Sequence, residues 1–464
     1  MNMKNLPIGI QSFGDLIRGN YLYIDKTREI YKFFKEKGKY YFLSRPRRFG
    51  KSLMISTLKE IFLGNKELFK DLYIYDKIEW KIFPVIHIDF LGLKYAAKDE
   101  LIAALNYVVD QNAQMYDITL TEKSYEKRFR ELVKILSRQN KVVVLVDEYD
   151  KPVIDLIDRP DAALMNRNIL KTFYGNLKAL DEYLEFVFIT GVSKFSKISI
   201  FSDLNNLDDI TIDDRYAAIL GYTHDELLHY FADRIESILK NEGGSKTQLI
   251  DNIKTWYNGY SWDGKNFMYN PFSILNFFQK KKFGNYWFES GSPSFLVKLI
   301  RRHRVDIIEL ENYKAGETVF SSFDIDRMHV VSLLFQTGYL TIKNIELAID
   351  KKRIYNLSYP NYEVKESLLE NILGDFSMYY ADKISVILSN LKESLVKNEM
   401  DRFFESIRSI FAHIPYNIFV EDREGYYHTV IYLILTLIGI SIDAEIETNI
   451  GRIDAVVETT ADIY

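Results

Sequence analysis

The chain contains no cysteine. That absence removes disulfides, thiolate metal sites and cysteine nucleophiles together, and it fits a reducing, cytoplasmic setting. Histidine is scarce, at 7 residues without paired spacing, so His428 near Glu424 does not make a histidine-based metal site. Positive charge is not in excess. Sixty Lys and Arg against 65 Asp and Glu leave −5, so no global basic surface advertises nucleic acid and any such contact must be local. Long apolar runs are missing too. The longest charge-free apolar stretch, Thr429 to Ile442, spans 14 residues, too short for a bilayer, and reads as one buried helix. The N-terminus has no apolar run resembling a signal peptide, and no membrane partner is expected.

What the chain does have is core-forming material. A length of 464 residues with 47% hydrophobic and 15% aromatic content excludes disorder and suggests two or three domains. Apolar strand-like runs at Tyr40–Leu43, Phe83–Phe90, Lys141–Val146 and Leu184–Thr190 alternate with helical patterns at 98–113, 121–138 and 161–180. That alternation predicts an α/β fold with a parallel sheet. An earlier helix is expected over Arg28–Lys37, capped by Asp25 or Thr27 and stopped by Gly38. From about 221 the texture turns helical and aromatic-rich, opening on a Thr223/Glu226 capping box. Joints are expected near 220, 300 and 365, giving the domain segments 1–220, 221–365 and 366–464.

The stretch Ser44-Arg45-Pro46-Arg47-Arg48-Phe49-Gly50-Lys51-Ser52 joins the first strand to a helix whose apolar face is Met54, Leu58, Ile61 and Phe62, with Gly64-Asn65 as its stop. Strand, tight loop, Gly-Lys-Ser and helix make the context of a phosphate-binding P-loop. Backbone amides face an anion, lysine adds a positive charge, and serine can ligate Mg²⁺. The general pattern wants glycine where Arg45 stands, because a residue with a Cβ does not freely take positive φ. The four cations Arg45, Arg47, Arg48 and Lys51 are expected to compensate electrostatically.

The third strand runs into Asp147-Glu148. Carboxylates at the carboxyl edge of a buried parallel strand lie where open α/β sheets bind ligands. In a P-loop enzyme the aspartate holds Mg²⁺ and the glutamate orients or deprotonates water. Thr190, ending the next strand before Gly191-Val192-Ser193-Lys194, is a candidate for sensing the γ-phosphate or positioning water. Lys194 is a further candidate cation. The Trp256–Tyr260 and Tyr286-Trp287-Phe288 clusters lack interleaved basic residues and read as packing.

These residues, with Leu6-Pro7-Ile8-Gly9, Tyr23-Ile24-Asp25-Lys26-Thr27, Arg47–Ser52, Asp147-Glu148-Tyr149-Asp150-Lys151-Pro152, Thr190–Ser193, Leu204–Leu207, Gly221-Tyr222-Thr223, Trp256–Tyr260 and Tyr269-Asn270-Pro271, carry a resemblance. The chain resembles the bacterial AAA-ATPase-like family in which a P-loop domain precedes a C-terminal PD-(D/E)XK nuclease-like domain. The resemblance implies an AAA-type parallel sheet with flanking helices, the Thr190 strand lying between the P-loop strand and the Asp147 strand. It implies ATP and Mg²⁺ as cofactors, with Arg47, Arg48, Phe49, Gly50, Lys51 and Ser52 around the nucleotide, Ser52 and Asp147 at the metal, and Glu148 and Thr190 catalytic. An arginine from a neighbouring subunit, hence a homo-oligomer, is also implied.

The C-terminal segment resembles the nuclease-like half, a restriction-endonuclease-like α/β domain. Glu424 opens its helix, and Ala444–Thr448 and Arg452–Val457 read as strands. Asp454 is a lone charge in an apolar strand; in that fold it ligates Mg²⁺, with Glu424 as a further acid, whereas in a plain hairpin it pairs with Arg452. The family's following Glu-x-Lys strand does not appear before Tyr464, so the domain is expected to be incomplete and no nuclease activity is expected of the chain as given. The leading functional expectation is an ATP-binding, ATP-hydrolysing switch or motor coupled to a nuclease-like domain acting on DNA or RNA. The alternatives are a nucleotide-dependent switch with a non-catalytic C-terminal platform, and a small-molecule kinase, which Asp147-Glu148 and the large helical region argue against.

Overall fold

The computed structural model describes residues 3–194, 200–202, 204–289, 294–303, 305–320, 330–377, 381–412, 423–439, 441–448 and 451–458. They divide into two compact units, Met1–Trp287 with Tyr313–Asn361 and Phe288–Asn312 with Tyr362–Tyr464.

The first unit is built on five parallel strands: β1 (Tyr40–Ser44), β2 (Val85–Asp89), β3 (Val142–Asp147), β4 (Leu184–Gly191) and β5 (Asp208–Asp209). Their order is β2-β3-β4-β1-β5. The Thr190 strand therefore lies between the strand that enters the loop and the strand that ends in Asp147, as the resemblance implied. All of β1 and β3 is buried, because helices cover both faces and leave no solvent side for polar alternation. One face, with Tyr40, Phe42, Val144, Val146 and Ile189, packs with Leu105, Leu132 and Phe173 of helices Lys98–Gln114, Tyr125–Leu136 and Pro160–Ala179. On the other face, Tyr41, Phe186 and Phe188 surround Phe33 of helix Thr27–Glu36, and Phe62 of helix Lys51–Phe62 stacks near Phe186.

Register fixes what the carboxyl edge displays. Leu43 is opposite Thr190, Ser44 opposite Gly191, and Asp89 opposite Asp147. The loop helix ends at Phe62, and Gly64 turns the chain at φ +76°, as its Gly-Asn stop predicts. The stop of helix Thr27–Glu36 is displaced by one residue. Lys37, not Gly38, takes the left-handed conformation, its N–H donating to the Phe33 carbonyl at 3.1 Å. Gly38 is required for a different reason: a Cβ there would collide with the Tyr41 hydroxyl.

The same unit continues with helices His224–Tyr230, Ala232–Glu242, Lys246–Tyr257 and Pro271–Lys280. The first has the expected reciprocal cap, Thr223 Oγ1 accepting from Glu226 N–H at 3.1 Å and Glu226 accepting from Thr223 N–H at 2.7 Å. Strands β6 (Tyr313–Ala315), β7 (Thr341–Leu347) and β8 (Arg353–Ser358) form a small antiparallel sheet.

The second unit contains helices Tyr362–Ser377, Ala381–Val396, Met400–Ala412 and Arg423–Leu437, then an antiparallel pair, β9 (Ser441–Thr448) and β10 (Gly451–Glu458). The expectation of one buried helix over Thr429–Ile442 is corrected here. The helix stops at Leu437, Gly439 reverses the chain at φ +82°, and Ser441-Ile442 open β9. Hydropathy does not separate a helix from an adjoining strand; the glycine does. Among the described residues, no helix is long and apolar enough to cross a membrane.

Candidate functional site

The 44–52 loop leaves β1 at the carboxyl edge of the sheet. Gly50, at φ +93°, is the residue before helix Lys51–Phe62, and no side chain caps that helix. Its first amides therefore remain as an anion-binding terminus. Arg48 is also left-handed, at φ +65°. The Lys51 ammonium is buried and donates to the Arg45 and Pro46 carbonyls, 3.0 Å each. Burial pushes its pKa down, while Asp147, Glu148 and Asp150 favour the charged form. Ser52, half-buried, follows on the first turn.

Across β4 stand the carboxylates. Asp147 is buried and accepts from Thr190 Oγ1 at 2.7 Å, so the threonine fixes one of its oxygens. Glu148 leaves the strand in a left-handed conformation, φ +51°, with the Lys151 ammonium 3.9 Å away. A non-glycine residue held there costs of order 1 kcal/mol and re-aims its side chain out of the strand's alternation. Lys51, Asp147, Glu148 and Thr190 thus converge on one edge. Among the described residues no three His, Cys, Asp or Glu side chains are grouped to hold a metal by themselves. A magnesium ion, which keeps waters and takes one or two protein oxygens plus phosphate oxygens, fits a set of only Ser52 and Asp147.

Two residues were not singled out from the sequence. Asp89 is beside Asp147 at the end of β2, and burial, with a smaller contribution from Asp147, raises its carboxyl pKa. The signal was the same as for Asp147, a charge closing an apolar strand. Asp150 is buried and accepts from Ser193 N–H at 2.8 Å, Ser193 Oγ at 3.0 Å and Val192 N–H at 3.3 Å, tying the end of β3 to the segment after β4. Gly191 allows this closeness, since a Cβ on it would lie 2.6 Å from Asp150 Oδ1 and from the Tyr149 ring.

Burial pushes the Asp150 carboxyl up to about 6, against the Ser193 hydrogen bonds and, to a lesser extent, Lys51, which pull it down. The folded protein therefore binds a proton more tightly than the unfolded chain. This group's contribution to stability is best below the unfolded value near 4, falls as pH rises toward 6, and is level above that, by about 3 kcal/mol in all. Asp150→Asn keeps an acceptor for the Ser193 amide and loses the ionisation. Its thermal midpoint relative to wild type is expected to rise between pH 4.5 and pH 7; a pH-independent difference would contradict the assignment.

Of the four loop cations expected to compensate for the missing glycine, Arg45 is turned into the core. Arg45 does not face the loop's interior. Its guanidinium is fully buried, 3.9 Å over the Trp262 ring, donating to the Thr211 carbonyl at 2.8 Å. The physical reason is that β1 is covered on both sides, so the residue continuing it enters a core. Arg47 is exposed, 3.7 Å from Asp155, and Arg48 lies over the Phe272 ring. Phe49 is buried edge-on against Tyr260 and Trp262, so the Trp256–Tyr260 segment packs, as its lack of basic neighbours suggested. Lys194 is committed to Asp209 at 2.8 Å. For the C-terminal candidates, Glu424 falls in helix Arg423–Leu437 and Asp454 in β10, but their side chains lie outside the described residues.

The sheet order and the loop-helix geometry define the N-terminal part as a P-loop-like α/β domain. A family model described as a predicted AAA-ATPase matches residues 7–201, and one described as the PD-(D/E)XK nuclease superfamily matches residues 422–464. A protein of Azotobacter chroococcum mcd 1, described as "Uncharacterized protein in vnfD 5'region", is 38% identical over 474 residues, spanning 100% of this chain and 89% of its own length. No solved structure matches. The chain belongs to this family of AAA-ATPase-like proteins with a C-terminal PD-(D/E)XK superfamily domain.

Proposed function

We propose that the protein binds ATP with Mg²⁺ at the 44–52 loop, hydrolyses it, and uses that cycle to control a nuclease-like domain engaged with nucleic acid. The observation that carries this reading is the convergence of Lys51 and Ser52 with Asp147, Glu148 and Thr190 on one carboxyl edge. Lys51 supplies a desolvated positive charge for phosphate, and the uncapped helix supplies amides. Asp147, oriented by Thr190, and Ser52 would hold the metal, which neutralises phosphate charge when bound. Glu148 would take the proton from an attacking water.

A mostly apolar, partly open cavity supports the adenosine end of the reading. It is bordered by Gly50, Leu53, Leu22, Ile24, Leu220 and Tyr222, next to the first turn of the loop helix. An apolar slot beside a phosphate-binding terminus suits a planar base. The test is titration calorimetry of the full chain with MgATP. Saturable binding in the micromolar range is expected, together with steady phosphate release. No heat up to millimolar MgATP would sink the reading.

A further inference from the structure

Where the P-loop pattern has a glycine, this chain has a buried arginine. Arg45 begins the loop in backbone register with the sheet, its N–H donating to the Gly191 carbonyl at 3.2 Å. Its side chain then turns inward. The guanidinium donates to the carbonyls of Ser44 (2.9 Å), Thr211 (2.8 Å) and Tyr216 (3.4 Å). It is also stacked on Trp262, while its Nε has no hydrogen-bond partner. Burying a guanidinium is costly, and such a cation is retained only where carbonyls, an aromatic face or counter-charges compensate. Here Asp209 and Asp263 supply the negative charge, and burial lowers the guanidinium's pKa to about 9, which leaves it protonated at neutral pH.

The carbonyls of Arg45 and Pro46 are the two that hold the Lys51 ammonium. Their other surroundings are also fixed. Gly338 presses against Pro46, where a Cβ would come within 2.7 Å of the proline ring, and Trp287 Nε1 donates to the Arg47 carbonyl at 3.0 Å. The first half of the loop is thus held by Arg45, stacked on the buried Trp262, and by the contacts of Trp287 and Gly338. Glycine at position 45 would leave the inside anchor empty.

We propose that Arg45 is a positioning residue for Lys51: its buried guanidinium, fixed between Trp262 and the carbonyls of Thr211 and Tyr216, sets the two loop carbonyls that aim the lysine ammonium. The idea deepens the reading of this loop as a phosphate site but does not need nucleotide to be tested. Lys51 is buried with its ammonium on those carbonyls, and their displacement would expose it to amine acylation. Lys26 serves as the internal control, being mostly buried with its ammonium held by Glu226 at 2.7 Å and the Ala218 carbonyl at 3.3 Å and by neither of the two loop carbonyls.

The experiment is pulse acylation of the full chain, read by mass spectrometry, for wild type, Arg45→Lys and Arg45→Met. Lysine keeps the charge but not the planar fork that reaches several carbonyls, and methionine keeps only volume. Lys51 is expected to label about tenfold faster in Arg45→Met and by an intermediate factor in Arg45→Lys, with Lys26 unchanged, because labelling reports local opening. If Arg45→Met does not fold, Arg45→Lys decides on the same criterion. Unchanged Lys51 labelling, or equal acceleration at Lys51 and Lys26, would overturn the proposal, the second outcome showing a merely structural arginine. Faster Lys51 labelling in a protein that binds no MgATP would uphold the positioning role while removing the nucleotide.

Discussion

Lys51→Ala is expected to weaken MgATP binding by at least about 100-fold, measured by calorimetry at fixed ionic strength, a loss of roughly 3 kcal/mol of charge-assisted bonding. The size follows from where the ammonium is. It is buried, so the desolvation cost is already met in the folded protein, and two of its three N–H groups are directed by the Arg45 and Pro46 carbonyls. A cation so placed reaches a phosphate without first losing a hydration shell or ordering a flexible side chain. Alanine removes the charge and leaves those two carbonyls without their donor, so the loop loses both its ligand-binding group and its internal brace. The helix N-terminus survives in the variant and gives the weak residual binding expected of backbone amides alone. Binding within threefold of wild type would show that the 44–52 loop is not the phosphate site.

Much of this arrangement was legible in the chain because strong local signals agreed with one another. The apolar runs that became β1, β3 and β4, the Gly-Lys-Ser turn, and Asp147-Glu148 each predict where the others must lie once the sheet is parallel. Residues whose roles depend on distant neighbours were less visible. Arg45 reads as one of four loop cations until Trp262 and Thr211, far along the chain, are seen to enclose it. Asp150 is one more carboxylate in an acidic motif until Ser193 is found donating to it twice. Gly191 and Gly338 look like ordinary glycines, yet each is needed because a ring or carboxylate from elsewhere presses on its Cα. Phe49 lies inside the proposed nucleotide-binding loop but its ring serves the aromatic packing with Tyr260 and Trp262. Hydropathy shows that such residues are buried; only tertiary contact shows against what.

Glu148→Gln is expected to leave MgATP affinity within about threefold of wild type and to lower the turnover rate by about 10²- to 10⁴-fold, the range for losing a general base. Asp147 and Glu148 are adjacent but differently committed. Asp147 is buried, and Thr190 Oγ1 engages it at 2.7 Å, which suits a fixed metal ligand. Glu148 is partly exposed at 28% of its side-chain surface and turned by its positive φ away from the strand's alternation, so its carboxylate reaches solvent water beside the Lys151 ammonium. Glutamine matches its shape and backbone demands, including the left-handed conformation, and removes only the ability to accept a proton. A structural role would therefore survive the change and a base role would not. Single-turnover measurement with bound ATP separates the two, since a trapped ATP complex that forms normally and decays slowly isolates the chemical step. Retained turnover in Glu148→Gln would move the base to another group on the same edge. Asp89 is the one positioned to take it: it lies in register with Asp147, and its carboxyl pKa is already raised toward the range where a base works best. Loss of turnover in Asp89→Asn with full activity in Glu148→Gln would place proton abstraction on β2 instead of β3.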